Sequence, residues 1–80
     1  MQIGDRVRVL PYKRLRTIYN NSEAVPGKTF NMPGYSGVVF DIYQDTGGLS
    51  YVVESSPRRL PGGEWGVTYN EHSADELKPE

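Results

Sequence analysis

Apolar and polar residues alternate with period two along much of this chain. Val7 and Val9 interleave with Arg6 and Arg8. That pattern, carried by β-branched residues, predicts a half-buried strand. Gly4-Asp5 opens it, and Pro11 ends it because proline has no N–H to give to a ladder. Residues 37–43 carry the strongest strand signal, with Val38, Phe40 and Ile42 assigned to the core face and Val39, Asp41 and Tyr43 to the other. Asp45-Thr46-Gly47-Gly48 supplies turn residues, the glycines permitting positive φ. Residues 49–54 return, so 37–54 reads as a β-hairpin. After a second turn cluster over 55–63, Trp65, Val67 and Tyr69 alternate with Gly66, Thr68 and Asn70 and predict a fourth strand. Ser73 and Glu76 have capping-box spacing and predict one short turn. Leu77 is expected to bury, with residues 78–80 as a last short strand.

Residues 11–34 break this rhythm. Pro11, Pro26, Pro33, Gly27 and Gly34 interrupt them and no period runs through. Residues 12–19 read either as a short hairpin arm or as a helical turn, and Asn20-Asn21-Ser22, although it matches a glycosylation triplet, reads as a loop. A connection this long inside a small domain is uncommon and is often functional. With no long helix indicated, α/β is disfavoured, and short strands between turn signals predict an all-β barrel or sandwich.

Length makes residues 1–80 one domain. The chain has no cysteine, so no disulfide supports its core; this fits a reducing compartment. His, Asp and Glu show no zinc-type ligand spacing, and no metal or other cofactor is expected. The first residues lack the apolar segment of a signal peptide, and Val38-Val39-Phe40 is the longest apolar run, against the roughly 20 residues of a membrane helix. The expected location is the cytoplasm. Net charge is −1, which gives no bulk argument for nucleic acid. The charge is nevertheless polarised. Arg6, Arg8, Lys13, Arg14 and Arg16 face only Asp5 near the start, while Glu71, Asp75, Glu76 and Glu80 face only Lys78 near the end. Either the two ends lie side by side and neutralise each other, or the first forms a basic docking patch.

Catalytic chemistry is not expected. His72 is the sole histidine and stands between Glu71 and Ser73 without a spacing that defines a triad; it reads as a surface residue before the capped turn. Gly47-Gly48 and Gly62-Gly63 read as hairpin turns, since no phosphate-loop motif surrounds them. Binding is better supported. Six tyrosines, two phenylalanines and one tryptophan exceed what a domain this small can bury, and Tyr, Trp and Arg dominate interface hot spots. The long connection offers Tyr12, Lys13, Arg14, Arg16, Tyr19 and Phe30 as one candidate surface, suited to bases and phosphates or to an acidic peptide. The opposing reading folds Tyr12, Leu15, Ile18 and Tyr19 back over the open end of a barrel. The second candidate surface is the turn Pro57-Arg58-Arg59-Leu60-Pro61 beside Trp65, an exposed Arg-Arg-Leu tip, with the indole more often packed on a barrel wall.

Ile3-Gly4-Asp5-Arg6-Val7-Arg8-Val9, Gly34-Tyr35-Ser36-Gly37-Val38-Val39, Tyr51-Val52-Val53 and Ala74-Asp75-Glu76-Leu77-Lys78-Pro79 together resemble the SH3-like barrels of bacteria, phages and plastids. The opening is similar to that of the ferredoxin–thioredoxin reductase variable chain and photosystem I subunit IV; the hairpin and acidic ending are similar to KOW-type and small phage SH3-like domains. The resemblance covers nearly all of the chain outside the long connection. It implies a five-stranded barrel with a long first loop and a short 3-10 turn before the last strand. It also implies a non-enzymatic, protein-binding adaptor or accessory subunit. A KOW-like nucleic-acid or ribosome-associated module, and a phage inhibitor or small-ligand sequestering protein, are the alternatives.

Overall fold

The computed structural model describes residues 1–60 and 62–80, with Arg16 described by its backbone only. The chain is all-β: β1 (Arg6–Val9), β2 (Tyr12–Asn20), β3 (Glu23–Met32), β4 (Tyr35–Asp45), β5 (Gly48–Ser55), β6 (Arg58–Arg59), β7 (Trp65–Gly66), β8 (Tyr69–His72), a 3-10 turn (Ala74–Glu76) and β9 (Leu77–Pro79). Five strands form one sheet in the order β8-β5-β4-β1-β9. Its two edges, β8 and β9, do not pair with each other, so the sheet stays open and no barrel closes. The pairs β2-β3 and β6-β7 stand as separate two-stranded ribbons.

The core lies on one face of the large sheet. Val7 and Val9 of β1, Tyr35 and Val39 of β4, Tyr51 and Val53 of β5 and Leu77 of β9 are buried together, with Tyr12 and Ile42 packed against them. The alternation in β1 therefore reports its faces correctly. In β4 it does not. Val39 is 1% exposed while Phe40 is 55% exposed and Val38 is also exposed, the reverse of the expected assignment. The reason is a bulge. Val39 pairs with Val53, but the next partner of Val52 is Asp41, so the register slips across Phe40. An extra residue in one strand turns the following side chains to the other face. Ile42 consequently returns to the core, as expected, from a strand whose first half points the other way. Val39 is pinned at the slip: its N–H donates to the Asp5 carbonyl at 2.9 Å and its carbonyl accepts from the Gly4 N–H at 2.8 Å.

The two chain ends do lie side by side, with β1 antiparallel to β9 and Arg8 opposite Lys78. They are joined by the ladder and by a relay in which Arg8 donates to Ser36 and Ser36 donates to Glu80, at 3.3 and 2.9 Å. No ion pair joins the two ends among the described residues. The 3-10 turn forms where Ser73 and Glu76 indicate. The Glu76 carboxylate accepts from the Ser73 N–H at 3.2 Å, and the Glu76 carbonyl accepts from Leu10 N–H at 2.8 Å, tying the turn to the end of β1.

The long connection is a β-hairpin arm, not a loop or a helical turn. Tyr12 pairs with Met32 and the ladder runs to Asn20–Glu23, with a register shift between Arg16 and Ile18. Asn21 and Ser22 form its tip with φ of 51° and 65°. Both central residues at positive φ make the turn that matches the twist of a two-residue hairpin, and asparagine tolerates that region. Beyond Tyr12 the arm buries little. Leu15 and Tyr19 are exposed, so the arm does not fold back over the sheet. The radius of gyration, 14.2 Å, exceeds the roughly 12 Å of a compact chain of this length for the same reason.

Candidate binding groove

A groove of about 760 Å³ opens between the base of the arm, the β6-β7 ribbon and β8, lined by Tyr12, Arg14, Met32, Arg58, Arg59, Leu60, Thr68, Tyr69 and Asn70. Three short constraints build it. Ser55 is buried and holds Thr68 twice: its N–H donates to the Thr68 carbonyl and its hydroxyl accepts from the Thr68 N–H, both at 2.8 Å. The β6-β7 ribbon is closed by Leu60 N–H donating to Glu64 at 2.7 Å and pairs Arg59 with Trp65. Gly66 lets Leu60 pack across that ribbon, since a Cβ there would sit 2.9 Å from Leu60 Cδ1.

The polar floor runs as a chain of side chains. Arg14 Nη2 donates to Asn70 Oδ1 at 3.0 Å, and Arg58 Nη2 donates to Thr68 Oγ1 at 2.7 Å. Asn70 Nδ2 lies 3.5 Å from the same Thr68 oxygen. Each guanidinium also rests on an aromatic face: Arg58 lies 4.7 Å from the centre of the Tyr35 ring, Arg14 5.8 Å from Tyr12 and Arg59 5.8 Å from Trp65. These contacts orient the cations without neutralising them. Among the described residues none of the three arginines forms an ion pair with a carboxylate; the sole ion pair joins His72 and Glu76.

Behind the groove sits His72, which is 3% exposed and so is buried rather than on the surface. It lies at the end of β8 opposite Tyr51, and burial follows from its place on the core face. Its Nε2 is 2.6 Å from the Tyr35 hydroxyl and its Nδ1 is 3.3 Å from Glu76 Oε1. Because the carboxylate can only accept, Nδ1 carries the proton and Nε2 accepts from tyrosine. The ring stacks edge-on against Tyr12 at 4.9 Å. Burial lowers the His72 pKa from its ordinary value, and nearby Arg14 acts the same way, while the Glu76 carboxylate opposes them. Burial likewise raises the pKa of Tyr35. His72 thus supports both aromatic platforms, Tyr12 under Arg14 and Tyr35 under Arg58.

Of the residues singled out in the sequence, Tyr12, Arg14, Arg58 and Arg59 converge here from two segments that were read as separate surfaces. Trp65, expected against a barrel wall, is 69% exposed and stands at the rim with Arg59. Phe30 pairs with Arg14 in the arm ladder and is partly exposed. Lys13 lines a separate depression with Pro11 and Asn31. Tyr19 is exposed near the arm tip, away from the groove. The Arg16 side chain lies outside the described residues. Leu60, part of the second candidate surface, lines the groove as well, whereas sequence reasoning missed Met32, Thr68, Tyr69 and Asn70. The alternation over 65–70 places Thr68 and Asn70 on one face, but nothing in it signals that this face meets the arm. Among the described residues no cluster of His, Asp and Glu could hold a metal ion, and no helix is long and apolar enough to cross a membrane.

No protein family model, curated protein or solved structure matches this chain.

Proposed function

We infer that this chain is a non-enzymatic binding module whose groove takes an acidic, extended segment of a protein partner. The observation that carries the reading is the set of arginines, Arg14, Arg58 and Arg59, gathered in one groove without a carboxylate among the described residues. Such cations are held in place by neutral acceptors and aromatic faces, which leaves their charge for a ligand. The surroundings favour a short acidic segment over a continuous polyanion. Glu54 accepts from the Tyr69 hydroxyl at 2.8 Å, which sets one carboxylate beside a residue that lines the groove. A nucleic-acid backbone leaving the groove past Tyr69 would meet that charge.

An SH3-like architecture fits this role. Its support is the strand order β9-β1-β4-β5-β8, the arm in the position of a long first loop, and the 3-10 turn before the last strand. The open edge between β8 and β9 is where this chain departs from a closed barrel.

The test is fluorescence anisotropy of the full chain with a labelled glutamate-rich octapeptide, its lysine-rich counterpart and a single-stranded RNA of similar length, at low salt. The expected result is binding of the acidic peptide alone, lost in an Arg14→Ala/Arg58→Ala variant whose fold is checked by circular dichroism. Tighter binding of the RNA would replace this reading with the nucleic-acid one, and no binding of either would remove the groove as a site.

A further inference from the structure

The groove offers more donors, of more kinds, than a carboxylate can use. Its floor presents guanidinium, amide, hydroxyl and guanidinium in sequence, from Arg14 through Asn70 and Thr68 to Arg58. A carboxylate is satisfied by one arginine fork, through two parallel hydrogen bonds. Here each of Arg14 and Arg58 spends one nitrogen on a neutral side chain, and the rest of each fork has no hydrogen-bond partner among the described residues. Thr68 Oγ1 accepts from Arg58 and its own hydroxyl proton is unspent among the described residues. A ligand that engages both forks and the hydroxyl needs an additional oxygen and a second negative charge.

Resting on the acidic-segment reading above, we propose that the groove recognises a phosphoryl group, carried as a phosphorylated side chain on the partner's segment. The phosphoryl oxygens take unspent fork nitrogens beside the Asn70–Thr68 pair that lies between Arg14 and Arg58. Its charge of about −1.5 to −2 answers the uncompensated arginines, which one carboxylate leaves in excess. The side walls, Tyr12 and Tyr69, give flat apolar surface beside the anion, and the volume of about 760 Å³ accommodates a phosphorylated aromatic side chain as well as a phosphorylated serine.

The experiment uses the full chain and four labelled octapeptides of glycine and serine, identical except for a central tyrosine, phosphotyrosine, phosphoserine or glutamate. Inorganic phosphate and adenosine monophosphate serve as competitors. Either phosphopeptide should bind at least tenfold more tightly than the glutamate peptide, and millimolar inorganic phosphate should displace it. Thr68→Val, which keeps the backbone bonds to Ser55 and removes the hydroxyl that Arg58 and Asn70 donate to, should weaken the phosphopeptide several-fold with the folded circular dichroism spectrum retained. Arg58→Lys, which keeps charge and loses the fork, should weaken it by about tenfold. Equal affinity for phosphorylated and glutamate peptides would overturn the phosphoryl assignment while leaving the acidic groove standing. Silence from all acidic peptides would overturn both. Adenosine monophosphate binding more tightly than either phosphopeptide would overturn the protein-borne source.

Discussion

The bulge in β4 makes a quantitative prediction that runs against residue size. Val39 is 1% exposed and packs in the core, whereas Phe40, the larger side chain, is 55% exposed and touches Tyr69 edge-on at 5.1 Å. Truncating Val39 to alanine deletes two buried methyl groups, each worth about 0.8 kcal/mol in transfer, and leaves a cavity in a core too small to collapse around it. The expected loss is about 2–3 kcal/mol. Phe40→Ala removes a half-solvated ring and one aromatic contact, the latter worth about 0.5–1.5 kcal/mol, so its total cost is about 1 kcal/mol. For a domain of this length a loss of 1 kcal/mol lowers the melting temperature by roughly 4–8 °C. Val39→Ala should therefore melt about 10–20 °C below the parent and Phe40→Ala within several degrees of it. Urea titration followed by circular dichroism gives the same order through the midpoints. If the phenylalanine variant is the less stable of the two, Phe40 is a core residue, β4 carries no bulge, and the alternation read directly from the sequence was right.

Other outcomes follow from single contacts. Gly37 lies between β1 and β5, and a Cβ there would meet the Glu54 carbonyl and stand 2.7 Å from Val53 Cγ1. Gly37→Ala should cost about 3 kcal/mol or prevent folding, read by urea titration, whereas Gly62→Ala, with open space around it, should be nearly silent. His72 is held neutral by burial, its pKa lying below the unfolded value of about 6.5. The unfolded chain then binds the proton more readily, so this contribution is complete above pH 6.5 and is lost as pH falls from there through the folded pKa. Melting temperatures between pH 8 and pH 5 should decline on the acid side, and the decline should flatten in His72→Gln; an identical decline in that variant would assign it elsewhere. Ser22 holds φ of 65° at the arm tip, so Ser22→Gly should relieve about 1 kcal/mol of local strain. Amide exchange across β2 and β3 should slow, and the global melting temperature should stay put because the arm buries so little.

The sequence by itself determined the strand class, the turns and several of the faces. Alternation is local, so it reported β1, the β4-β5 hairpin and the burial of Leu77, where one side chain in two must leave water. The capping pair Ser73 and Glu76 marked its turn because a cap is satisfied within one turn of backbone. The sequence left residues 12–19 between a hairpin arm and a helical turn because neither face of the arm is covered beyond Tyr12, and a ribbon wet on both sides has no hydrophobic alternation to show. The face of Phe40 was unreadable for another reason. A one-residue slip costs nothing in composition, yet it reverses every assignment across it. Above all, only the tertiary structure decided that Arg14 and Arg58, forty-four positions apart, meet across Asn70 and Thr68. The composition shows the cations. Whether they stand solvated and alone or converge without a counter-charge depends on how the arm leaves the sheet, a long-range contact that no local pattern encodes.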